Sequence, residues 1–460
     1  MPPRHQNPCP HKATTHTPSP HAIQVQYKQP TLKERQDAMK PAPSSKLKPP
    51  PSRTDLDQFP APIILPGDDL ALDPEYPPQS FQEWHDEEDR NPVTPRRRTV
   101  YILPPPTVEN DLPATQSWTK PLKTNSDLNS NYPISPPNAK DITTYLKAFY
   151  HPLPVTPLTI PNWTFTTWTD DNDDDKPRRK KPPPPPSLGL TTATETIRIR
   201  TRPCPDGIYR AQLNLDDLLD AVIAIVPKDA YAVCMLTNHD LFEDEDDTFV
   251  CGRAYGGSRV AVVSTARYNP LLDLIQNVER DHAWPAAHCT AYIEDICRRE
   301  EGGILSKKRK RKKVISPKQG HADGKQEAPL DAALRAFSYP PPLPPGPLSP
   351  DPRVSDNGTS GLWLWRIIRT VSHELGHCFG IDHCVYYACI MQGSASLSED
   401  TRQPPYLCPV DLAKVLFATG SNVDARDQAL LRYCEQPGVR DLACFRAFAA
   451  WLGGYVVIQE

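Results

Sequence analysis

Three histidines and one glutamate in a short stretch of this sequence could together carry metal chemistry. His373, Glu374 and His377 form an H-E-x-x-H pattern, and His383 follows closely. Residues four apart lie on the same face of a helix, so His373 and His377 would present two imidazoles to one ion. Glu374 would lie beside the first ligand, where it can reach a water molecule at the metal without binding the metal itself.

The residues after His377 complete the pattern. Gly380 can adopt a left-handed conformation and end the helix, so that the chain turns back and returns His383 as a third ligand. Three protein nitrogens leave a fourth position open, which is typical of a catalytic zinc site. The pattern predicts one catalytic Zn²⁺, with Glu374 as the general base that takes a proton from the metal-activated water in peptide-bond hydrolysis.

A second interpretation belongs to a different class. A catalytically weak, zinc-stabilised interaction protein would also use three histidines to hold a metal ion. Such a structural site needs neither a carboxylate next to the first ligand nor an open fourth position. Because Glu374 is present, the sequence favours the enzyme.

Strands and helices around one core must position these residues. Apolar and alternating segments predict strands near 197–199, 231–237 and 259–264, and periodic segments predict helices near 216–226, 284–301 and 362–379. This order indicates an α+β fold, with the helix over 362–379 carrying the H-E-x-x-H pattern. The segment 259–264 is either an edge strand that binds substrate backbone or a plain core strand.

Proline marks the domain boundaries. The chain has 460 residues and 57 prolines, which are concentrated before residue 190 and in 301–358. Residues 1–138 are expected to be a disordered proline-rich region without a core, because apolar residues such as Trp84 occur there singly. The catalytic domain is expected over 139–460, with low-complexity insertions at about 166–192 and 301–358.

Composition and charge limit which classes of binding partner and which cellular compartment we expect for this protein. The net charge of −4 gives no reason to expect an acidic polymer as partner, and no apolar run approaches the ~18 residues of a membrane span. The first residues lack the apolar stretch of a secretory signal. We therefore expect an intracellular protein of the cytoplasm, the nucleus or both, without a membrane partner, whose 12 cysteines are thiols or metal ligands.

Seven consecutive basic residues form a separate feature at 307–313. They resemble a nuclear localisation signal, and a nuclear import receptor is then the expected partner. The alternative is a solvated run of charge. A nucleic-acid partner is not favoured, because the sequence has no zinc-finger spacing and this interpretation leaves the histidines unexplained.

The residues after His383 carry a family resemblance. Cys384 follows the third histidine directly, and Cys389 precedes Met391 by two positions, with Cys408 further on. This continuation of the metzincin signature resembles the archaemetzincins, over residues 139–460 apart from the insertions. The resemblance implies a metzincin-like catalytic domain with a mixed twisted sheet, an active-site helix and a Met-turn formed by Met391. It also implies peptide or protein substrates and aminopeptidase action.

The same resemblance implies a second, structural zinc held by four cysteines. Cys384, Cys389 and Cys408 match three of those positions, whereas the fourth position is Asp411. A carboxylate oxygen can bind zinc, so a site with three cysteines and one aspartate is chemically feasible. The alternative is that the second zinc has been lost and that these cysteines are ordinary buried thiols.

Overall fold

The computed structural model describes residues 9, 11, 13–48, 52–110, 112–123, 134–168, 184–304, 327–338 and 358–455. The helices are α1 Pro20–Gln24, α2 Leu32–Ala38, α3 Asp69–Leu72, α4 Phe81–Asp86, α5 Pro113–Gln116, α6 Ala139–Phe149, α7 Leu215–Ala224, α8 Thr290–Ile304, α9 Pro329–Ser338, α10 Thr359–Cys378, α11 Leu397–Arg402, α12 Pro409–Thr419, α13 Val423–Cys434 and α14 Ala443–Gly453. The strands are β1 Thr99–Leu103, β2 Thr107–Val108, β3 Val155–Pro157, β4 Thr164–Thr167, β5 Ser187–Thr191, β6 Thr196–Pro203, β7 Ala211–Asn214, β8 Ala230–Thr237, β9 Asp240–Phe242, β10 Gly252–Tyr255 and β11 Val260–Ser264.

The central sheet has five strands in the order β10-β11-β8-β1-β3. Its pairs are parallel except for the antiparallel edge strand β10. Every residue of β8 and of β11 is buried, which is the pattern of strands covered on both faces. Other elements must therefore cover both faces of this sheet.

Alternate side chains of the central strands enter two different cores. Cys234 and Val263 face the larger core, which contains the long helix α10. Val233 and Val262 face a second core, built with α7 and the six-stranded sheet β2-β4-β5-β6-β7-β9. The period of two along a strand explains this division. The α+β class predicted from the sequence is confirmed.

Helix α10 lies against β10 and β11. It buries a nearly continuous apolar surface, including Trp363, Ile367, Val371 and Leu375. The helix ends where Gly380 takes a left-handed conformation with φ of +77°. Burial of this surface anchors the H-E-x-x-H segment at the carboxyl end of α10.

The expectation that residues 1–138 lack a core does not hold for their described part. Strand β1 lies inside the central sheet, between β8 and β3. Phe59, Phe81 and Trp84 are at most 2% exposed and pack into the α10 core. Prolines here separate short helices, and these three solitary aromatic side chains fill sites on the domain, so the local density of apolar residues was a poor guide.

The described parts of the two expected insertions contain elements that pair or pack with the domain. Within 166–192, β5 pairs with β4 and β6, while residues 169–183 lie outside the described part. Within 301–358, α9 packs against α14 and buries Leu330 and Ala333. The basic run 307–313 also lies outside the described residues. Composition alone could not separate these paired elements from their proline-rich neighbours.

In the part of the chain that the structure describes, no helix combines the length and apolar character needed to cross a bilayer.

Candidate metal centre and active-site cleft

Helix α10 and the turn after it bring His373, His377 and His383 together. One ligand atom from each lies within 4.8 Å of the other two. The Nε2 atoms of His373 and His377 are 3.0 Å apart. The helical spacing supplies the first two imidazoles, and the reversal at Gly380 supplies the third.

Hydrogen bonds fix the orientation of two of these rings. His373 Nδ1 donates to the Ile390 carbonyl and His377 Nδ1 donates to the Ile381 carbonyl, each over 2.7 Å. Both Nε2 atoms are then acceptors that face each other, and a cation bound by both would satisfy the two lone pairs. Burial lowers the pKa of His373 well below its usual value and that of His377 to about 4. Neutral imidazoles with converging lone pairs fit zinc.

Glu374 lies on the same helix, one position after the first histidine. Its side chain is 8% exposed and lines the cleft that also contains the three histidines. Burial raises the pKa of Glu374 to about 8, and the guanidinium of Arg253 opposes this rise. A cation at the histidines would lower the pKa further toward the ionised form.

The cleft has a volume of about 900 Å³. Its walls include Arg253 and Gly252 of β10, and Tyr76 and Arg90 from the N-terminal segment. The edge strand beside the histidines is β10, because β11, over 260–264, is enclosed between β10 and β8. Of the two alternatives left open for 259–264, the core strand is therefore the one observed.

Met391 lies beneath the active-site helix. A Cβ atom built on Gly376 would overlap the Met391 sulfur and approach its Cε to 2.7 Å. Met391 is fully buried, and its backbone carbonyl accepts a hydrogen bond from the Cys384 amide. A Met-turn stays a prediction, and this contact supports it.

The four residues proposed for a second zinc also converge. Ligand atoms of Cys384, Cys389, Cys408 and Asp411 lie within 4.8 Å of one another, and all four residues are buried. The Sγ atoms of Cys384 and Cys408 are 3.5 Å apart. Asp411 Oδ2 lies 3.3 Å from Cys389 Sγ and 3.5 Å from Cys408 Sγ. Three sulfurs and one oxygen at these separations fit a tetrahedral zinc.

Lys414 supports Asp411 from the other side. Its ammonium donates to Asp411 Oδ1 over 2.9 Å, and both side chains are 1% exposed. Burial raises the pKa of Asp411 to about 7, the charge of Cys384 adds to this, and Lys414 opposes it. Oδ1 of Asp411 accepts the hydrogen bond from Lys414, and Oδ2 lies next to the sulfurs of the cluster.

Sequence reasoning missed the contribution of the N-terminal segment to this region. Gln79 accepts a hydrogen bond from Lys414 and donates one to the Gly380 carbonyl, over 2.9 and 3.0 Å. The Trp84 indole donates to the Phe379 carbonyl over 2.8 Å. These residues carry no local pattern that could have identified them, because their role depends on contacts more than 290 positions away along the chain.

Comparison with known proteins shows which proteins this region is similar to. A family model described as peptidase family M54 matches residues 353–415. The chain is 26% identical over 230 residues to archaemetzincin-2 of Macaca fascicularis, covering 50% of this chain and 48% of that protein. It is 27% identical over 245 residues to human archaemetzincin-1, covering 53% of this chain and 38% of that protein. The chain thus spans about half the length, or less, of these curated relatives.

Among solved structures, the archaemetzincin of Methanopyrus kandleri aligns with 71% of this chain and 98% of its own, at 15% identity and a TM-score of 0.30. The family-model match covers the three histidines, Glu374, Met391 and the second cluster. The resemblance to the archaemetzincins is therefore confirmed over residues 353–415, which match the model of peptidase family M54.

Proposed function

We propose that this protein is a zinc-dependent metallopeptidase in which His373, His377 and His383 hold the catalytic ion and Glu374 is the general base. The observation that carries this proposal is the pair of facing Nε2 acceptors, 3.0 Å apart at the floor of a cleft that also contains a buried carboxylate. Zinc, when bound, supplies Lewis acidity toward a peptide carbonyl and a water molecule.

The chain's own residues supply the remaining steps. The carbonyls of Ile390 and Ile381 hold the two Nδ1 protons and keep the imidazoles of His373 and His377 oriented. The Glu374 carboxylate accepts the proton of the attacking water and returns it to the leaving amine. Its burial keeps bulk water away from this proton, and Arg253 stabilises its ionised form.

The second cluster is proposed as a structural zinc site. Cys384 directly follows His383, so an ion held by Cys384, Cys389, Cys408 and Asp411 would tie the third histidine to the amino end of α12. All four positions would be filled by protein atoms, which is typical of structural zinc. The proposal therefore includes two zinc ions in this half of the chain.

Aminopeptidase action is the finer part of the proposal. Glu87, Asp89 and Asp382 line the same cleft as the histidines. Their carboxylates would attract the free ammonium of a peptide amino terminus. A peptide with a free amino terminus should then be cleaved faster than its acetylated copy, and equal rates for the two peptides would refute this part alone.

One observation supports the alternative, a catalytically weak zinc-stabilised interaction protein. Burial raises the pKa of Glu374 to about 8, which disfavours the form that a base requires. Zinc binding without hydrolysis of any peptide in a diverse library would support this alternative. An interaction of the basic run 307–313 with an import receptor, and an intracellular location, stay predictions.

Substitution Glu374→Gln tests the mechanism. We expect the zinc content and the melting temperature to be retained while peptide hydrolysis falls ~10²-fold or more, as on loss of a general base. The exposed Glu195→Gln serves as the matched control and should retain full activity. Unchanged hydrolysis in Glu374→Gln would refute the assignment of the base.

A further inference from the structure

A third set of metal-ligating residues lies outside the cleft, where the N-terminal segment meets the loop before α8. Residues 13–15 pair with residues 288–290 through two backbone hydrogen bonds of 2.9 Å, from Thr15 N to the His288 carbonyl and from Thr290 N to the Ala13 carbonyl. Thr14 and Cys289 form an antiparallel bridge. This pairing carries the residues just before it toward the same loop.

Cys9, His11 and His282 meet at that point, and the sulfur of Cys289 lies beside that of Cys9. Ligand atoms of Cys9, His11 and His282 lie within 4.8 Å of one another. The Sγ atom of Cys289 lies 3.2 Å from that of Cys9. The rings of His11 and His282 are edge to face, with centroids 5.0 Å apart. Thiolate and imidazole are the ligands that zinc prefers in closed protein sites.

Unpaired polar atoms point to a ligand here. The Nε2 atoms of His11 and His282 are both buried, and neither makes a hydrogen bond to an oxygen or nitrogen atom of the described residues. Buried polar atoms are nearly always paired, so two such atoms in one cluster require an explanation. A cation between them would satisfy both.

The surroundings of His282 fit this role. Its Nδ1 lies 3.2 Å from Glu279 Oε1, the carboxylate–histidine arrangement that orients metal-binding imidazoles in proteins. Tyr292 stacks on the imidazole with centroids 3.8 Å apart, which holds the ring plane. When Nδ1 of His282 donates to Glu279, Nε2 is the nitrogen whose lone pair can bind a metal ion.

We propose that Cys9, His11, His282 and Cys289 form a separate structural site for zinc or a similar thiophilic divalent cation. With four protein ligands the site is closed, so its role is to join the N-terminal segment to the loop before α8. A disulfide between Cys9 and Cys289 is the competing use of the same sulfurs, but it would leave both histidine nitrogens without partners. The site is independent of the proposed peptidase activity.

Metal content of the 460-residue chain tests the proposal. Zinc per chain, measured by mass spectrometry of the metal, should fall by one equivalent in Cys9→Ser/His11→Asn relative to wild type. His16→Asn, which changes a histidine of the same segment outside the cluster, should leave the zinc content unchanged. A double variant that retains the wild-type zinc content would overturn the proposal.

Thiol reactivity of the unmodified protein gives a second measurement that does not depend on the folding of a variant. Cys9 is half-buried and can be alkylated when it is free. We expect Cys9 to resist alkylation as purified and to react after treatment with a chelator. Equal reactivity before and after chelation would refute the site. Reactivity that appears only after reduction would show a Cys9–Cys289 disulfide and would also refute it.

Discussion

Met391 packs against Gly376, a position of helix α10 that carries no side chain. A Cβ at Gly376 would overlap the Met391 sulfur and lie 2.7 Å from its Cε. Gly376 directly precedes His377, so this contact sets the distance between the Met391 loop and the helix that carries two of the three histidines. The loop also holds the Ile390 carbonyl that orients His373.

Substitution Gly376→Ala should therefore destabilise the protein and weaken zinc binding at the histidines. Overpacking costs about 1–3 kcal/mol, which we expect to exceed the gain in helix propensity of about 1 kcal/mol. Gly453→Ala is the matched control, because a Cβ at that helical position meets nothing within 4 Å. Thermal unfolding measures both variants, and a Gly376→Ala protein as stable as the control would contradict the contact.

Removal of the Trp84 side chain should destabilise the domain that contains the three histidines, although residue 84 lies in the proline-rich half. Trp84 is 0% exposed, and its indole donates to the Phe379 carbonyl at the end of the active-site helix. Trp84→Ala should cost about 3–5 kcal/mol. Leu72→Ala, at a side chain that is 71% exposed, should change the free energy of unfolding by less than about 0.5 kcal/mol. Denaturant titrations measure the free energy of unfolding of both variants. Equally small changes in the two would support the expectation that residues 1–138 do not pack on the domain.

Asp411→Ala should remove one equivalent of zinc from the second cluster while the histidine site keeps its own. The Asp411 Oδ2 atom faces the sulfurs of Cys389 and Cys408. Asp411→Cys should retain the metal, because a thiolate at that position restores four sulfur ligands. The exposed Asp424→Ala is the control.

The free energy of unfolding cannot show whether Asp411 is a zinc ligand, because Asp411→Ala also leaves the buried ammonium of Lys414 without its carboxylate. Metal analysis is therefore the measurement. Wild-type zinc content in Asp411→Ala would mean that the aspartate is a counter-ion of Lys414 and not a ligand.

Glu399 should make stability depend on pH. Burial, together with the charge of Asp68, raises the pKa of Glu399 to about 8 in the folded protein, against about 4.3 in the unfolded chain. Because the folded state binds this proton more tightly, the contribution to stability is full below about pH 4.3 and is lost as the pH rises through about 8. The melting temperature of wild type should therefore fall between pH 5 and 8.5 more steeply than that of Glu399→Gln.

The control for this prediction is Glu195→Gln, at an exposed position, which should follow the wild-type pH profile. Parallel profiles for wild type and Glu399→Gln would show that Glu399 titrates as it does in the unfolded chain.

Much of the site was predictable because its geometry is local. The spacing of His373 and His377 follows from the helical period, and the return of His383 follows from the left-handed turn at Gly380. The cluster of Cys384, Cys389, Cys408 and Asp411 was expected from a family resemblance, and the structure brings these four residues together. The buried strands β8 and β11 were predicted from their apolar runs.

Sequence alone thus determined the helix that bears the histidines, the α+β class and the chemistry that three imidazoles and a carboxylate can perform. Tertiary structure decided what lies around them. Trp84, Gln79 and the pair of Cys9 and His11 reach their partners across hundreds of positions. Such contacts depend on the path of the whole chain and leave no periodic pattern near the residues themselves, so a proline-rich segment that reads as disordered can complete a folded domain.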